Sequence, residues 1–531
     1  MVHGIIIADN TYADTNHVYL RGTGAHRIAT HLRQQGWRIE VVDFVLRWQL
    51  EEFQSLCEKI VGAHTLMLGI SSNLMIDSDN INEMLAWVRD RFPKVAIVLG
   101  GNHLLSRNFA PVDYIIEGYA EHALSELLQY LAGHRSTSDL RWSNFRPDLN
   151  FIDATRDYGQ VDTHNLQTVY HESDFVQPHE VLALETGRGC IFRCRFCTYP
   201  LIGKKNTDYL RDPVTIAREL EHNWQQLGVS RYIIAEDTFN DSVTKLKNLQ
   251  AAIQGLSFRP TFVAYLRFDL ILNKPETLAL LRDIGVRAAY FGIETFDDRD
   301  GRIIRKGMAS ERIKEGLLWW AESAPDIATH VSMIAGLPHC NEQDLWATNT
   351  WLEQSGLHWW SWNALWFTDI NKTIHTSEFS HTYQDYGYEI MSEDDINLAT
   401  RDLPPAAPWY QYNTKIYRQK MIFWKHRDNG MDFFRAAALC DAMNSASLSR
   451  RLGGFHVFQH ASLGYDIDTV SQWGYHDTVH AVPQQEIEQR VQHLISKYKC
   501  SKLSYDYASK YAGAAVAPKI FNTTKIVKRL T

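Results

Sequence analysis

The sequence predicts an α/β protein in three parts: a Rossmann-like doubly wound parallel sheet, then a partial (β/α)6 barrel of the TIM type, then a mostly helical C-terminal domain. Three observations predict this. Short apolar runs alternate with helical stretches through the first 130 residues, the alternation resumes at Val181 for six more units, and it fades after about residue 370. The boundaries read from these changes are a front domain at 1–133, a linker at 134–178, a barrel at 179–370 and a C-terminal helical cap at 371–531.

The 531 residues are 45% hydrophobic and 22% charged, ordinary for globular domains with full cores. A formal net charge of -8 disfavours an extensive phosphate-binding surface, so no nucleic-acid partner is expected. The start, Met1-Val2-His3-Gly4-Ile5-Ile6-Ile7, is not a signal peptide, and no apolar run reaches membrane-span length. Seven cysteines, three of them clustered, fit a reducing cytoplasm; Cys57, Cys340, Cys440 and Cys500 read as scattered thiols.

In the front domain, Ile5–Ala8, Ile39–Asp43, Thr65–Ile70, Val95–Leu99 and Tyr114–Ile116 read as strands, with helices at Gly24–Gln35, Gln49–Val61, Asn80–Arg91 and Glu121–Tyr130. Ligands of such sheets bind outside the carboxyl ends of the strands. Those ends carry Ser71, Ser72, Gly100, Gly101, Glu117 and Gly118, where paired glycines admit a bulky ligand and serines offer hydroxyls. The polar stretch at 131–178 reads as a wrapping linker.

The barrel opens with Leu182–Thr186 and the run Thr186-Gly187-Arg188-Gly189-Cys190-Ile191-Phe192-Arg193-Cys194-Arg195-Phe196-Cys197. This C-x3-C-x2-C spacing supplies three thiolates, enough for three corners of a cubane cluster with one iron left open. A structural zinc site would need a fourth ligand, from His, Asp or a distant cysteine. Strands at Arg231–Ala235, Thr261–Leu266, Arg287–Ile293, Thr329–Ala335 and His358–Trp366 follow, and working groups of such barrels sit at the strands' carboxyl ends. These ends carry Glu236-Asp237-Thr238-Phe239, Arg267 with Asp269, Gly292-Ile293-Glu294, and Gly336-Leu337-Pro338.

The cysteine run with its Thr-Gly-Arg-Gly lead, followed in order by these strand-end motifs, resembles the radical S-adenosylmethionine (radical SAM) superfamily over residues 180–370. The front domain, ending in Val112-Asp113-Tyr114-Ile115-Ile116-Glu117-Gly118-Tyr119-Ala120-Glu121, looks like the cobalamin-binding domain that precedes many of its members. The resemblance implies a 4Fe-4S cluster on Cys190, Cys194 and Cys197 as reaction centre. It also implies S-adenosylmethionine held near Phe196, Glu236, Asp237, Arg267, Glu294, Gly336 and Pro338, and cobalamin near Ser71, Ser72, Gly100, Gly101, Glu117 and Gly118. Within it, Phe196 shields the cluster, Glu294 takes the ribose and Gly336–Pro338 line the adenine; a carboxylate of Glu236-Asp237 accepts from the ligand's ammonium or from neighbouring backbone, and Arg267 takes the ligand's carboxylate or forms a structural pair with Asp269. The Asp-x-His-x-x-Gly motif, whose histidine coordinates cobalt in other cobalamin proteins, is absent.

Past residue 370, Lys415–Trp424, Met431–Ala442 and Gln485–Lys497 read as helices of a cap over the barrel mouth. His456, His460, His476 and His480 show no tight ligand spacing, and Lys519–Arg529 reads as a basic tail. The expected function is reductive cleavage of S-adenosylmethionine to a 5′-deoxyadenosyl radical, in a cobalamin-dependent methyltransferase acting at an unactivated centre. The alternatives are a cobalamin-independent radical enzyme for cyclisation, rearrangement or oxidation, with a vestigial front domain, and a non-catalytic iron–sulfur or cobalamin sensor. A reduced ferredoxin or flavodoxin as electron donor, a small-molecule or peptide substrate, no membrane partner and a monomer complete the expectation.

Overall fold

In a computed structural model, the structure describes residues 2–10, 20–72, 75, 79–102, 109–178, 180–357, 359–401, 421–448 and 484–511. Two six-stranded parallel sheets carry the molecule. The first contains β1 (Gly4–Ala8), β2 (Ile39–Val42), β3 (Met67–Ser71), β4 (Ala96–Gly101), β5 (Tyr114–Glu117) and β6 (Phe151–Asp153), in the order β2-β1-β3-β4-β5-β6. Its strands are almost wholly buried, because helices on both faces cover them. β6 lies inside the stretch read as a linker. Three residues are too few to show a period, and only pairing with β5 makes Phe151–Asp153 a strand.

The second sheet contains β7 (Val181–Leu184), β8 (Arg231–Ile234), β9 (Thr261–Leu266), β10 (Val286–Glu294), β11 (Ala328–Ala335) and β12 (Trp359–Ala364), paired in chain order. β7 and β12 do not pair, so the barrel stays open on one side. Leu184, Ile234, Phe262, Phe291 and Val331 pack outward against the surrounding helices in the largest core.

Beyond the barrel the described residues are mainly helical, with two antiparallel ribbons. Phe367–Thr368 pairs with Met421–Ile422, and Tyr388–Ile390 pairs with Trp424–His426. The helix expected at Lys415–Trp424 is therefore not formed at its end, where Trp424 instead donates to the Leu365 carbonyl and packs among Phe367, Tyr388 and Phe433. Tertiary packing of aromatic residues has overridden helical periodicity there. The earlier part of that stretch, the four histidines and the basic tail lie outside the described residues.

The last long helix, Gln484–Ser504, packs on the front sheet, not over the barrel mouth. Tyr498 accepts from the Asp43 backbone N–H, Lys499 pairs with Glu52, and Lys502 pairs with Glu40 at 3.0 Å while donating to the Ser173 carbonyl. Glu40 and Lys502 are both wholly buried. We expect Lys502→Met to cost about 3 kcal/mol, the low end for breaking a buried pair, because Lys510 remains 3.8 Å from Glu40. Urea unfolding checks the size, and faster hydrogen exchange within Gln484–Ser504 checks the place.

An ionic cluster joins the front domain to the segment from Asp174 to Glu180. Asp43 meets Arg21 at 2.8 Å and His26 at 2.9 Å, Arg21 meets Glu180 at 2.7 Å, and Asp174 meets Arg33 at 3.3 Å. Burial opposes ionisation of Asp43 and Asp174, yet His26, Arg21 and Arg33 hold both below the ordinary carboxylate range. Burial likewise opposes charge on His26, but the two carboxylates win and raise its pKa. The carboxylates' contribution is present above their unfolded values and is lost as pH falls through the lowered folded ones. The His26 contribution is complete below about pH 6.5 and is lost as pH rises through the raised value. The unfolding temperature should therefore be highest on the acidic side of neutrality, and His26→Gln should flatten its alkaline limb. An unchanged alkaline limb in that variant would contradict this assignment.

Candidate active site

The cysteine loop follows β7 and is tied down on both sides. Arg188 N–H donates to the Tyr209 carbonyl, Cys190 N–H to Leu201, and Lys204 N–H back to Cys190. The Glu236 carboxylate, just past β8, anchors the start of the loop. One oxygen accepts from Thr186 Oγ1 at 2.6 Å and from Gly187 N–H at 2.9 Å, and the other from Lys245 Nζ at 2.7 Å. Its acceptor positions are spent on the protein, and it does not line the cleft. The sequence reading paired Glu236 with Asp237 as possible ligand carboxylates; the geometry separates them. Asp237 opens into the cleft, its carboxylate takes no hydrogen bond among the described residues, and burial and then Glu236 raise its pKa.

Cys190, Cys194 and Cys197 line one cleft of about 460 Å³ at the carboxyl ends of the barrel strands. Cys190 approaches Thr238 Oγ1 at 3.8 Å, Cys194 accepts from Arg267 at 3.5 Å, and Cys197 accepts from Tyr199 N–H at 3.4 Å. The three sulfurs do not all lie within 4.8 Å of one another. Tetrahedral zinc with bonds of about 2.3 Å would draw its thiolates to about 3.8 Å. Burial pushes the Cys197 thiol up to about 12, so the protein alone disfavours a thiolate that bound iron would stabilise.

The other walls come from successive strand ends. Arg267, after β9, is held by both oxygens of Asp269 at 2.8 and 3.0 Å and lies 3.7 Å from the Phe192 ring centre. Phe196, Tyr265, Tyr290 and Trp366 add aromatic surface. Glu294 closes β10 after a bulge, in a left-handed conformation with φ of 74°. Such strain in a non-glycine residue costs about 1–3 kcal/mol and is characteristic of functional positions. Burial raises the Glu294 pKa against the pull of Lys306, whose Nζ lies 3.4 Å away and donates to the Gly292 carbonyl.

Gly336 and Pro338 stand apart from this lining. Gly336 has φ of 92°, and a Cβ there would meet the Trp424 ring at 2.5 Å. Tyr388 donates to its carbonyl, and Asn429 donates to that of Pro338. The turn is held by the C-terminal ribbons, and neither residue reaches the cleft wall.

A second cavity, of about 250 Å³, lies at the carboxyl edge of the front sheet and reaches the barrel. Ser71, Gly100, Gly101 and Gly118 line it as expected. Ser72 and Glu117 do not: Ser72 is wholly buried with its hydroxyl on the Gly100 carbonyl, and Glu117 is buried where it accepts from Thr373. Alternation along a strand turns such neighbours away from the edge.

Several lining residues carried no sequence signal of their own. Arg27 meets Glu185 through Nη2 at 2.6 Å, and its Nε and Nη1 are without a hydrogen bond among the described residues. Arg188, from the cysteine loop itself, reaches Glu121 at 2.7 Å and Glu185 at 3.0 Å, stacks over Tyr119, and leaves Nη1 unmatched. Buried donors without acceptors are costly, so this cavity is built for a ligand that presents acceptors. Tyr119 in the cavity donates to Tyr199 in the cleft at 3.1 Å, and Asn102 lines both spaces.

Residues 184–352 match the family model of the radical SAM superfamily. The chain carries a radical SAM domain. Solved structures similar to this one share its fold as well. The radical S-adenosylmethionine methyltransferase TsrM from Kitasatospora setae, with cobalamin and [4Fe-4S] cluster bound, gives a TM-score of 0.61 at 14% identity, over 93% of this chain and 100% of that one. The cobalamin-dependent S-adenosylmethionine radical enzyme OxsB, with aqua-cobalamin bound, gives 0.56 at 11% identity, over 100% of this chain and 75% of that one. Among curated proteins, the anaerobic magnesium-protoporphyrin IX monomethyl ester cyclase of Synechocystis sp. (strain ATCC 27184 / PCC 6803 / Kazusa) is 23% identical over 245 residues, 44% of this chain. The match spans about half of that relative's length, 48%. The radical SAM domain thus carries Cys190, Cys194 and Cys197 together with Asp237, Arg267 and Glu294 in one cleft. No described helix is long and apolar enough to cross a membrane.

Proposed function

We propose that this protein is a cobalamin-dependent radical SAM methyltransferase acting on an unactivated carbon or phosphorus. The observation that carries the reading is the meeting of the two spaces: the cysteine cleft and the front cavity share Asn102 and are joined by the Tyr119–Tyr199 hydrogen bond. Cys190, Cys194 and Cys197 would hold a 4Fe-4S cluster, which when bound would supply the single electron for reductive cleavage of S-adenosylmethionine, and the front cavity would hold a corrinoid that would supply a methyl group. The protein's own part is positioning. Asp237 offers a free carboxylate to the ligand's ammonium, Arg267 offers a fixed guanidinium to its carboxylate, and Glu294 offers a buried carboxylate to the ribose hydroxyls. Around them the aromatic wall of Phe196, Tyr265, Tyr290 and Trp366 keeps water from the reacting carbon. Arg27 and Arg188 give the corrinoid's polar periphery the donors that the protein leaves unmatched.

Glu294→Gln should weaken S-adenosylmethionine binding about tenfold or more, the size of one charge-assisted hydrogen bond, while iron content stays unchanged. Equilibrium binding to the reconstituted protein checks this.

The corrinoid is tested by substituting Gly24, which lines the front cavity and where a Cβ would meet only Ser71 Oγ, at 3.9 Å. Protein produced with hydroxocobalamin should show corrin absorbance; Gly24→Phe should lose it and keep its iron. A second reading, radical cyclisation or oxidation without a corrinoid, draws on the likeness to the Synechocystis cyclase. Corrin-free protein that still cleaves S-adenosylmethionine would favour it.

A further inference from the structure

From Glu185 to Asp212 the chain forms no helix or strand, so the spacing of the three cysteines depends on what grips their loop. A single turn of the front domain reaches both ends of the run. Glu121 meets Arg188, two residues before Cys190, at 2.7 Å, and the Arg188 guanidinium lies 4.5 Å from the centre of the Tyr119 ring. The Tyr119 hydroxyl is hydrogen-bonded at 3.1 Å to that of Tyr199, two residues after Cys197. Tyr199 N–H in turn donates to the Cys197 sulfur at 3.4 Å. The same turn lines the front cavity, where Tyr119, Ala120 and Glu121 form a wall beside Arg188. Whatever fills that cavity therefore rests on the residues that grip the cysteine loop. Glu121 and Arg188 are both buried, and a buried ion pair does not part without a large cost. Arg188 also holds Glu185 at 3.0 Å and leaves Nη1 without a hydrogen bond among the described residues. An acceptor in the cavity would complete this guanidinium, which the two carboxylates fix from the other side.

We infer that the turn at Tyr119–Glu121 couples the two sites, so that a corrinoid in the front cavity and a cluster on the three cysteines each strengthen the binding of the other. Arg188 and Tyr199 are the positioning residues of this coupling, acting through the loop and not on the reacting atoms. The first ligand to bind orders the loop and the turn together, and the second then finds them already ordered. Coupling between two binding sites is reciprocal, so the factor must be the same in both directions. The inference rests on the corrinoid reading above and adds that the two sites are loaded together.

The test is anaerobic titration of the full-length protein with hydroxocobalamin, once with the cluster loaded and once after a chelator has removed the iron. The loaded form should bind at least about fivefold more tightly, the lower end of ordinary coupling between sites. Tyr199→Phe deletes the hydroxyl that meets Tyr119 and leaves the wall of the front cavity intact, because Tyr199 lines only the cysteine cleft. Its cluster-free affinity should stay within about twofold of the unaltered protein, while the ratio between the two forms should fall at least about twofold, the effect of one hydrogen bond. A residue that merely supported the fold would lower both affinities and leave their ratio alone. Added hydroxocobalamin should also protect the iron of the unaltered protein against the chelator by the same factor. Equal affinities with and without the cluster, or an undiminished ratio in Tyr199→Phe, would overturn the coupling. No uptake of hydroxocobalamin by either form would overturn the corrinoid reading instead, and the inference with it.

Discussion

Cys194→Ala should reduce the iron and sulfide of anaerobically reconstituted protein from about four of each per chain to near none. The loss should be near total because no further cysteine among the described residues lines the cleft. Cys57, Cys340, Cys440 and Cys500 do not line the cleft, and the residue that touches the Cys194 sulfur is Arg267, a cation that cannot ligate iron. S-adenosylmethionine cleavage should vanish with the cluster, while the fold survives, since Cys194 is a half-buried loop residue outside the main core. A circular dichroism spectrum like that of the parent, together with absent iron, is the expected pair of results. Retention of most of the iron would mean that the cluster has other ligands.

The second large effect separates two adjacent carboxylates. Glu236→Ala removes the acceptor for Thr186 and Gly187 and leaves Lys245 wholly buried with Asp241 as its remaining carboxylate, at 2.8 Å. Breaking a buried pair in this way costs about 3 kcal/mol, the low end because Asp241 stays with Lys245, and here it also frees the start of the cysteine loop. Denaturant unfolding should show the destabilisation, and cluster content should fall with it. Asp237→Asn should do the reverse, keeping stability and iron while raising the S-adenosylmethionine concentration needed for half-maximal cleavage. Equal behaviour of the two variants would contradict the division of labour.

The strand-helix alternation was legible because both sheets are parallel and covered on both faces, so their strands appear as unbroken apolar runs such as Ile5–Ile7 and Ile97–Leu99. β6 was not legible, because a three-residue strand at a sheet edge has no period of its own. The Lys415–Trp424 stretch misled for a related reason: Trp424 takes its conformation from Gly336 and Tyr388, far away in sequence. Among site residues, the cysteines and Glu294 were legible from spacing and order after strands. The difference between Glu236 and Asp237 was not, because neighbouring carboxylates look alike until one is seen to meet Lys245. Arg27 shows the deeper limit. It sits in an amphipathic helix as an ordinary charged residue, and only the approach of Glu185 from the barrel buries it at the cavity wall. A tyrosine one residue past Gly118 in a strand-end turn was the signal that would have pointed to Tyr119.

The helix Gln484–Ser504 changes the role expected of the C-terminal part. Instead of capping the barrel, it ties this C-terminal segment to β2 and the turn after it through Lys502 and Tyr498. The front sheet, the segment around Asp174 and the last helix are thereby held in one charged joint. Such a joint fixes the front cavity relative to the cysteine cleft, which chemistry shared between two cofactors requires.

The most direct test of the central claim is anaerobic incubation of the cluster-loaded protein with S-adenosylmethionine and a strong chemical reductant, with mass-spectrometric detection of 5′-deoxyadenosine and methionine. The account predicts that both form with the unaltered protein and that neither forms with Cys194→Ala. Protein holding its full complement of iron that leaves S-adenosylmethionine intact under these conditions would contradict it.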